Sequence, residues 1–320
     1  MNRNDMKLCL SVLAGLALAS CTRTDVKPAD TAAPASAGVE SSQMKMGETG
    51  GMNVPESVRY DADLDVFFVS NINGNPSAKD GNGFIAVVRA DSTSVVRMLV
   101  ESGKPARGGK AITLNAPKGM AIRGDTLWVA DISTVHAINK RTGASIADIP
   151  ITGATFLNDV AVGPDGAIYI TDTGIVFDAT GNITHPGTNR IFRLAGRNVT
   201  TVAEGDLLNN PNGLAYDATN KRWLLAPFGG TEVQVLADGE KNPSKLASGP
   251  GQYDGIEILA DGRVLVSSWA DSTVYIVSNG AMSAFVKGVA APADIGIDTR
   301  RNTLAIPRFN DRKVEYFMIH

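Results

Sequence analysis

Six polar residues stand at repeated places along the chain: Glu56, Lys118, Asn158, Asn212, Asp254 and Asp294. Each opens a short apolar run, as in Tyr253-Asp254-Gly255-Ile256-Glu257-Ile258. An Asp-Gly turn then leads to a second run, Val264-Leu265-Val266-Ser267-Ser268. Three of the six are carboxylates and two are amides; none offers sulfur or imidazole. Brought to one point, such a set would suit a hard divalent cation. Ca²⁺ comes first because it takes six to eight oxygen ligands. Mg²⁺, Mn²⁺ or Zn²⁺ are the alternatives. The only histidines are His136, His185 and His320, none at a repeated position, which argues against a histidine-built zinc site. Three carboxylates in one low-dielectric channel also repel each other, so without a cation at least one would take up a proton. Lys118 would relieve part of that repulsion or hold an anionic substrate.

The intervals between these residues are 62, 40, 54, 42 and 40. A period of about 40 residues built only of short strands marks the blades of a propeller. The sequence therefore predicts an all-β, six-bladed β-propeller of four-stranded antiparallel blades over residues 52–320. Insertions at 71–82 and 101–114 lengthen the first interval, and one at 173–190, carrying His185, lengthens the third. The last blade has three strands of its own. A ring must close to leave no open sheet edge, so a segment near 43–47 is expected to supply the fourth.

In a propeller the first strand of each blade lines the central channel, so a residue just before it faces one mouth. That places the six residues in an inner ring. The second strands return to the same mouth and deliver Asp131, Asp172, Trp269 and Phe228 farther from the axis. Asp131, Asp172 and Trp269, with Lys118 and Asp294, are the expected substrate-pocket residues. The turns Asp165-Gly166 and Asp261-Gly262 fall at the opposite face. Trp128, Tyr169 and Trp223 are expected to pack between blades, and His136 and His185 to serve packing or the surface.

With 43% hydrophobic and 20% charged residues the composition is that of a globular protein, and a net charge of −3 argues against a nucleic-acid partner. Both cysteines, Cys9 and Cys21, lie in the first 21 residues. Residues 1–21 have a basic start (Arg3, Lys7), an apolar run shorter than the roughly twenty residues of a membrane span, and the ending Leu18-Ala19-Ser20-Cys21. This resembles a bacterial lipobox, which implies a lipoprotein signal peptide with lipidation at Cys21. Thr22 in the next position implies an outer-membrane anchor facing the periplasm. Residues 22–51, rich in Ala, Ser, Thr, Pro, Asp and Gly, read as a flexible tether. Membrane contact is expected only through this lipid anchor, and the propeller is expected to be a monomer.

The turns Pro55-Glu56-Ser57, Leu157-Asn158-Asp159, Pro211-Asn212-Gly213 and Tyr253-Asp254-Gly255 resemble the signature turns of the regucalcin/gluconolactonase (senescence-marker-protein) family. They are similar, more loosely, to those of paraoxonases, strictosidine-synthase-like proteins and NHL-repeat propellers. The resemblance spans residues 52–320. It implies a six-bladed propeller with a divalent metal, usually Ca²⁺, in the channel mouth. The implied metal ligands are Glu56, Asn158, Asn212 and Asp254. Asn158 would contact substrate or complete the coordination, and Asp254 would double as general base for hydrolysis of a lactone. Two positions depart from the pattern. Lys118 stands where paraoxonases carry a His, and the Arg and second Glu that read sugar hydroxyls in gluconolactonases have no obvious equivalents.

The leading expectation is thus a Ca²⁺-dependent hydrolase of a small-molecule lactone or related ester. The alternative is a non-catalytic periplasmic propeller that binds a ligand or protein, as NHL-type scaffolds do. A metal requirement separates the two.

Overall fold

A computed structural model describes residues 43–106, 109–186 and 189–320. The expected signal peptide, its Cys21 and most of the expected tether lie outside the described residues. Among the described residues there are six four-stranded antiparallel sheets and one additional two-stranded hairpin. The innermost strands are Pro55–Asp61, Pro117–Arg123, Leu157–Val162, Pro211–Asp217, Tyr253–Ile258 and Gly296–Asp298. The second strands are Val66–Asn71, Thr126–Asp131, Ile168–Asp172, Arg222–Pro227, Val264–Ser268 and Thr303–Arg308. This is the expected six-bladed propeller.

The core is divided among the blade interfaces. Alternating residues of each strand face the neighbouring blade, so apolar clusters form between sheets rather than at one centre. Phe68 meets Leu127 and Ile138 between the first two blades. Trp128 joins Leu157 and Ile168 at the next interface. Tyr169 and Trp223 stack at a centroid distance of 4.3 Å between the third and fourth blades. These aromatics are therefore packing residues, as expected.

The ring closes through Lys45–Thr49, which pairs antiparallel with Lys313–Met318 and becomes the outer strand of the last blade. The closure is where the sequence places it, shifted by two residues from 43–47, and it brings the end of the expected tether into the propeller. Lys45 Nζ lies 2.7 Å from Glu315, and Thr49 Oγ1 lies 3.0 Å from the Tyr316 hydroxyl. Polar contacts and backbone pairing thus fasten the first and last strands of the propeller in one sheet.

The channel-facing residues depart from expectation in a way that matters. Five of the six lie inside the first strand, at a β-bulge, rather than before it. Pro55 pairs with Asn71 and Ser57 with Ser70, so Glu56 is the extra residue. Pro211 pairs with Pro227 and Gly213 with Ala226, leaving Asn212 extra. Register shifts at the same place carry Lys118, Asn158 and Asp254. A bulge re-aims a side chain that the regular pleat would send elsewhere. Its cost is an amide without a ladder partner, and in three blades a second-strand hydroxyl covers it. Ser70 Oγ accepts from Ser57 N (2.9 Å), Thr171 Oγ1 from Asp159 N (2.9 Å) and Ser267 Oγ from Gly255 N (2.8 Å).

Close convergence at the axis explains two glycines. A Cβ on Gly213 would stand 2.2 Å from the Asp254 carbonyl oxygen, and one on Gly255 would stand 2.4 Å from Ile295 N. At these two positions no side chain fits between neighbouring inner strands, and that tightness crowds the bulged residues into one mouth.

Candidate metal centre in the channel mouth

Glu56, Lys118, Asn158, Asn212 and Asp254 line one small cavity of about 40 Å³. All five are buried. Phe156, Phe177, Phe228, Trp269 and Phe309 form the walls above them. Of the expected pocket residues, the structure brings Lys118 and Trp269 to this cavity and leaves Asp131, Asp172 and Asp294 outside its lining.

Asp131 and Asp172 face back into the fold. Asp131 accepts from Asn115 N (2.7 Å) and Ala116 N (2.8 Å), and Asp172 from Phe156 N (2.8 Å) and Thr155 N (3.1 Å). Asn71 does the same for Asn53 N at 2.9 Å. Each closes a second strand and grips the segment that enters the first strand of its own blade. They are turn anchors, with lone pairs committed to backbone amides and, for Asp131 and Asp172, also to His136 Nε2 (3.2 Å) and Thr155 Oγ1 (3.1 Å). Asp294 lies deeper. Its carboxylate accepts from Ser57 Oγ (2.5 Å) and Arg59 (3.2 Å), and its backbone N–H donates to the Glu56 carbonyl (2.8 Å). Arg59, which the sequence did not single out, also pairs with Glu257.

The electrostatics of the floor are unbalanced. Burial first, then the charge of Asp254, pushes the Glu56 carboxyl well above the usual carboxylate range, and Lys118 offsets only part of this. Burial and the Asp294 charge push Asp254 up in the same way, against the pull of the Trp269 indole N–H. Burial lowers the Lys118 ammonium to about 8, with Glu56 acting against that fall. Lys118 Nζ donates to Ala116 O at 3.0 Å and sits 4.1 Å from the centre of the Phe156 ring. Glu56 Oε2 and Asp254 Oδ1 are buried without a hydrogen-bond partner. An unpaired buried carboxylate costs several kcal/mol, so such a group takes a proton or a cation.

One of the amides is oriented to help. Asn158 Nδ2 donates to Thr173 Oγ1 at 2.9 Å, and that hydroxyl donates onward to the Pro211 carbonyl at 2.9 Å. With its only proton spent on Pro211, Thr173 must accept from Asn158, which fixes the NH₂ end of the amide and leaves the oxygen as the free end. Two unpartnered carboxylate oxygens and two amides on one buried floor fit a hard divalent cation. Among the described residues no group of three or more His, Cys, Asp or Glu forms a metal cluster, so the amides are essential to such a site.

A larger cavity of about 400 Å³ opens between the far ends of the inner strands, beside Arg59, Glu257 and Tyr216. Its charged groups are already paired, Arg59 with Glu257. It lacks the unpartnered floor of the smaller one.

The fold and the site together define a six-bladed propeller with an oxygen-donor floor in one mouth of its channel. Residues 55–294 match the SMP-30/Gluconolactonase/LRE-like region, and the chain belongs to that family. A solved protein assigned as a gluconolactonase superposes with a TM-score of 0.63 at 17% identity, over 87% of this chain and 97% of that one. A luciferin-regenerating enzyme superposes at 0.62 and 13% identity, over 84% and 92%. Virginiamycin B lyase from Staphylococcus aureus superposes at 0.58 and 13%, over 86% and 99%. At these identities the likeness is one of fold, and a fold shared by lyases and gluconolactonases does not choose a reaction. Comparison with curated protein sequences gives no significant match.

Proposed function

We propose that this protein is a metal-dependent hydrolase that opens a lactone or related ester in the channel mouth. Glu56, Asn158, Asn212 and Asp254 would hold the metal, with Ca²⁺ the best fit to an all-oxygen floor. The observation that carries this reading is the pair of buried, unpartnered oxygens, Glu56 Oε2 and Asp254 Oδ1, on one floor with two amides. Family membership supports the lactonase class.

When bound, a divalent cation supplies a Lewis acid that polarises a carbonyl and acidifies water. The chain's own residues supply the rest. Asp254, whose basicity burial and the Asp294 charge raise, is suited to take a proton from the attacking water at a carboxylate oxygen. The water oxygen bonds to the carbonyl carbon, the ring C–O bond breaks, and the proton passes to the leaving alkoxide, giving a hydroxy acid. Asn158, held by Thr173, would present its amide oxygen to the cation. The aromatic walls exclude bulk water. Lys118, near its protonation midpoint at mildly alkaline pH, would set the charge of the floor. Asp131, Asp172 and Asp294 act by holding the loops and the inner strands around it.

The lipobox supports display of this propeller in the cell envelope, anchored at Cys21 on the periplasmic face of the outer membrane. The competing reading, a propeller that only binds, needs no metal. The test is a lactone and ester panel assayed with Ca²⁺ and after chelation. Turnover that is lost with chelator and regained with Ca²⁺ supports the hydrolase. Turnover indifferent to chelation, or none with Ca²⁺ present, rejects it.

A further inference from the structure

The walls of the mouth differ in kind from its floor. Above the five polar residues, Phe156 and Phe177 lie on one side with centroids 5.7 Å apart. Phe228, Trp269 and Phe309 form a second group, with Trp269 5.8 Å from Phe228 and 5.0 Å from Phe309. Ile72, Pro76 and Ile175 complete the lining. Every lining residue outside the floor is apolar or aromatic.

Polar side chains near the rim are committed elsewhere. Asn75 Nδ2 donates to the Asp178 carbonyl at 2.7 Å, and Ser77 Oγ accepts from Phe177 N at 2.9 Å. These two bonds join the insertion of the first blade to that of the third, so Pro76, Ile175 and Phe177 come from segments that meet over the floor. On the floor itself the donor end of Asn158 is spent on Thr173, and Lys118 is spent in part on Ala116. A sugar lactone carries several hydroxyls; away from the floor the wall offers them one polar atom, the Trp269 indole N–H, so most would be buried against carbon without a partner, which selects against it. An alkyl or aryl group gains by the same burial.

We propose that the substrate is a lactone or ester with an apolar body, an alkyl or aryl substituent lying against these aromatic walls, and not a polyhydroxylated sugar lactone. This rests on the hydrolase reading above. The cavity of about 40 Å³ is too small for the whole of such a substrate, so its reacting end meets the floor and its apolar body extends along the walls toward the rim.

The experiment uses the full chain with Ca²⁺. Hydrolysis of γ-butyrolactone and its γ-ethyl and γ-butyl homologues is compared with that of glucono-1,5-lactone, and binding of the matching non-hydrolysable γ-lactams is followed by calorimetry. The expected result is a rise in kcat/KM of up to about fourfold per added methylene, with gluconolactone at least about tenfold below the butyl compound. Lactam affinity should rise in parallel. Phe177→Ser and Phe228→Ser should each flatten the chain-length dependence. Preference for gluconolactone, or indifference to chain length, overturns the apolar-body proposal while leaving the hydrolase intact. Lactam affinity that rises with chain length, with no lactone turned over, supports the apolar pocket and rejects the hydrolase. Neither binding nor turnover overturns both.

Discussion

Thr173 Oγ1 takes a hydrogen bond from Asn158 Nδ2 at 2.9 Å and gives its own proton to the Pro211 carbonyl at 2.9 Å. One hydroxyl thus ties the ring position of the third blade to the entry of the fourth and decides which end of the Asn158 amide is free. Thr173→Val keeps the shape and removes both bonds. Stability should fall by about 1–3 kcal/mol, and Ca²⁺ affinity by roughly 10-fold to 100-fold, as for other residues that orient a ligand from behind. Thr173→Ser should restore the affinity. Calorimetric titration of both variants checks this, and unchanged Ca²⁺ binding in Thr173→Val would remove the orienting role.

The metal-free protein should lose stability as pH rises from about 4.5. Glu56 and Asp254 have folded pKa values above their unfolded ones, so the unfolded chain binds fewer protons in that window and gains with increasing pH. A divalent cation replaces the proton and reverses the trend. Melting curves across pH 4 to 8, with chelator and with Ca²⁺, should diverge as pH increases. Parallel curves would show that no ion occupies the floor.

His136 gives a separate alkaline dependence. Burial alone would lower its pKa, but Asp131 (3.2 Å) and Asp148 (2.7 Å) outweigh burial and hold it up at about 9. Its contribution is complete below about 6.5 and is lost as pH rises through about 9. His136→Gln should abolish the part of the alkaline loss that Ca²⁺ does not restore, measured by denaturant unfolding at pH 6 and pH 9.5. A variant with the wild-type pH profile would contradict this assignment.

Ring closure is testable by removing it. Deleting residues 43–49 exposes the outer edge of the strand Lys313–Met318 and discards the contacts to Glu315 and Tyr316. The melting temperature should drop by on the order of 10 °C, with concentration-dependent association through the open edge. A deletion variant as stable and monomeric as the full chain would mean the closing strand is dispensable.

Much of this was legible because the repeat is polar in phase. Glu56, Lys118, Asn158, Asn212 and Asp254 recur at blade spacing, and the structure gathers all five around one cavity. The closing strand followed from arithmetic, since the last blade is one strand short. Three things were not legible. A β-bulge leaves no pattern in alternation, so the ring residues seemed to precede their strands when they lie within them. Asp131 and Asp172 had the right types and the right mouth, yet an Asp at a strand end serves equally as an acceptor for backbone amides, and here it does. Three of the five wall aromatics were missed because Phe156 and Phe309 sit in loops and Phe177 in a two-residue strand of an insertion, where no period marks a side chain as facing a site. Thr173 did leave a trace. The run Thr171-Asp172-Thr173 is dense in hydroxyls at a channel mouth, as are Ser70 in the first blade and Ser267-Ser268 in the fifth.

The central claim is that the floor of this mouth binds a divalent cation through Glu56 and Asp254. Calorimetric titration of Ca²⁺ into chelator-stripped protein addresses it directly, with wild type beside Glu56→Gln and Asp254→Asn. Wild type should bind one ion per chain and release protons as it does so, and each variant should lose that binding while keeping the wild-type circular dichroism spectrum. No binding by wild type, or binding that survives in both variants, would contradict it.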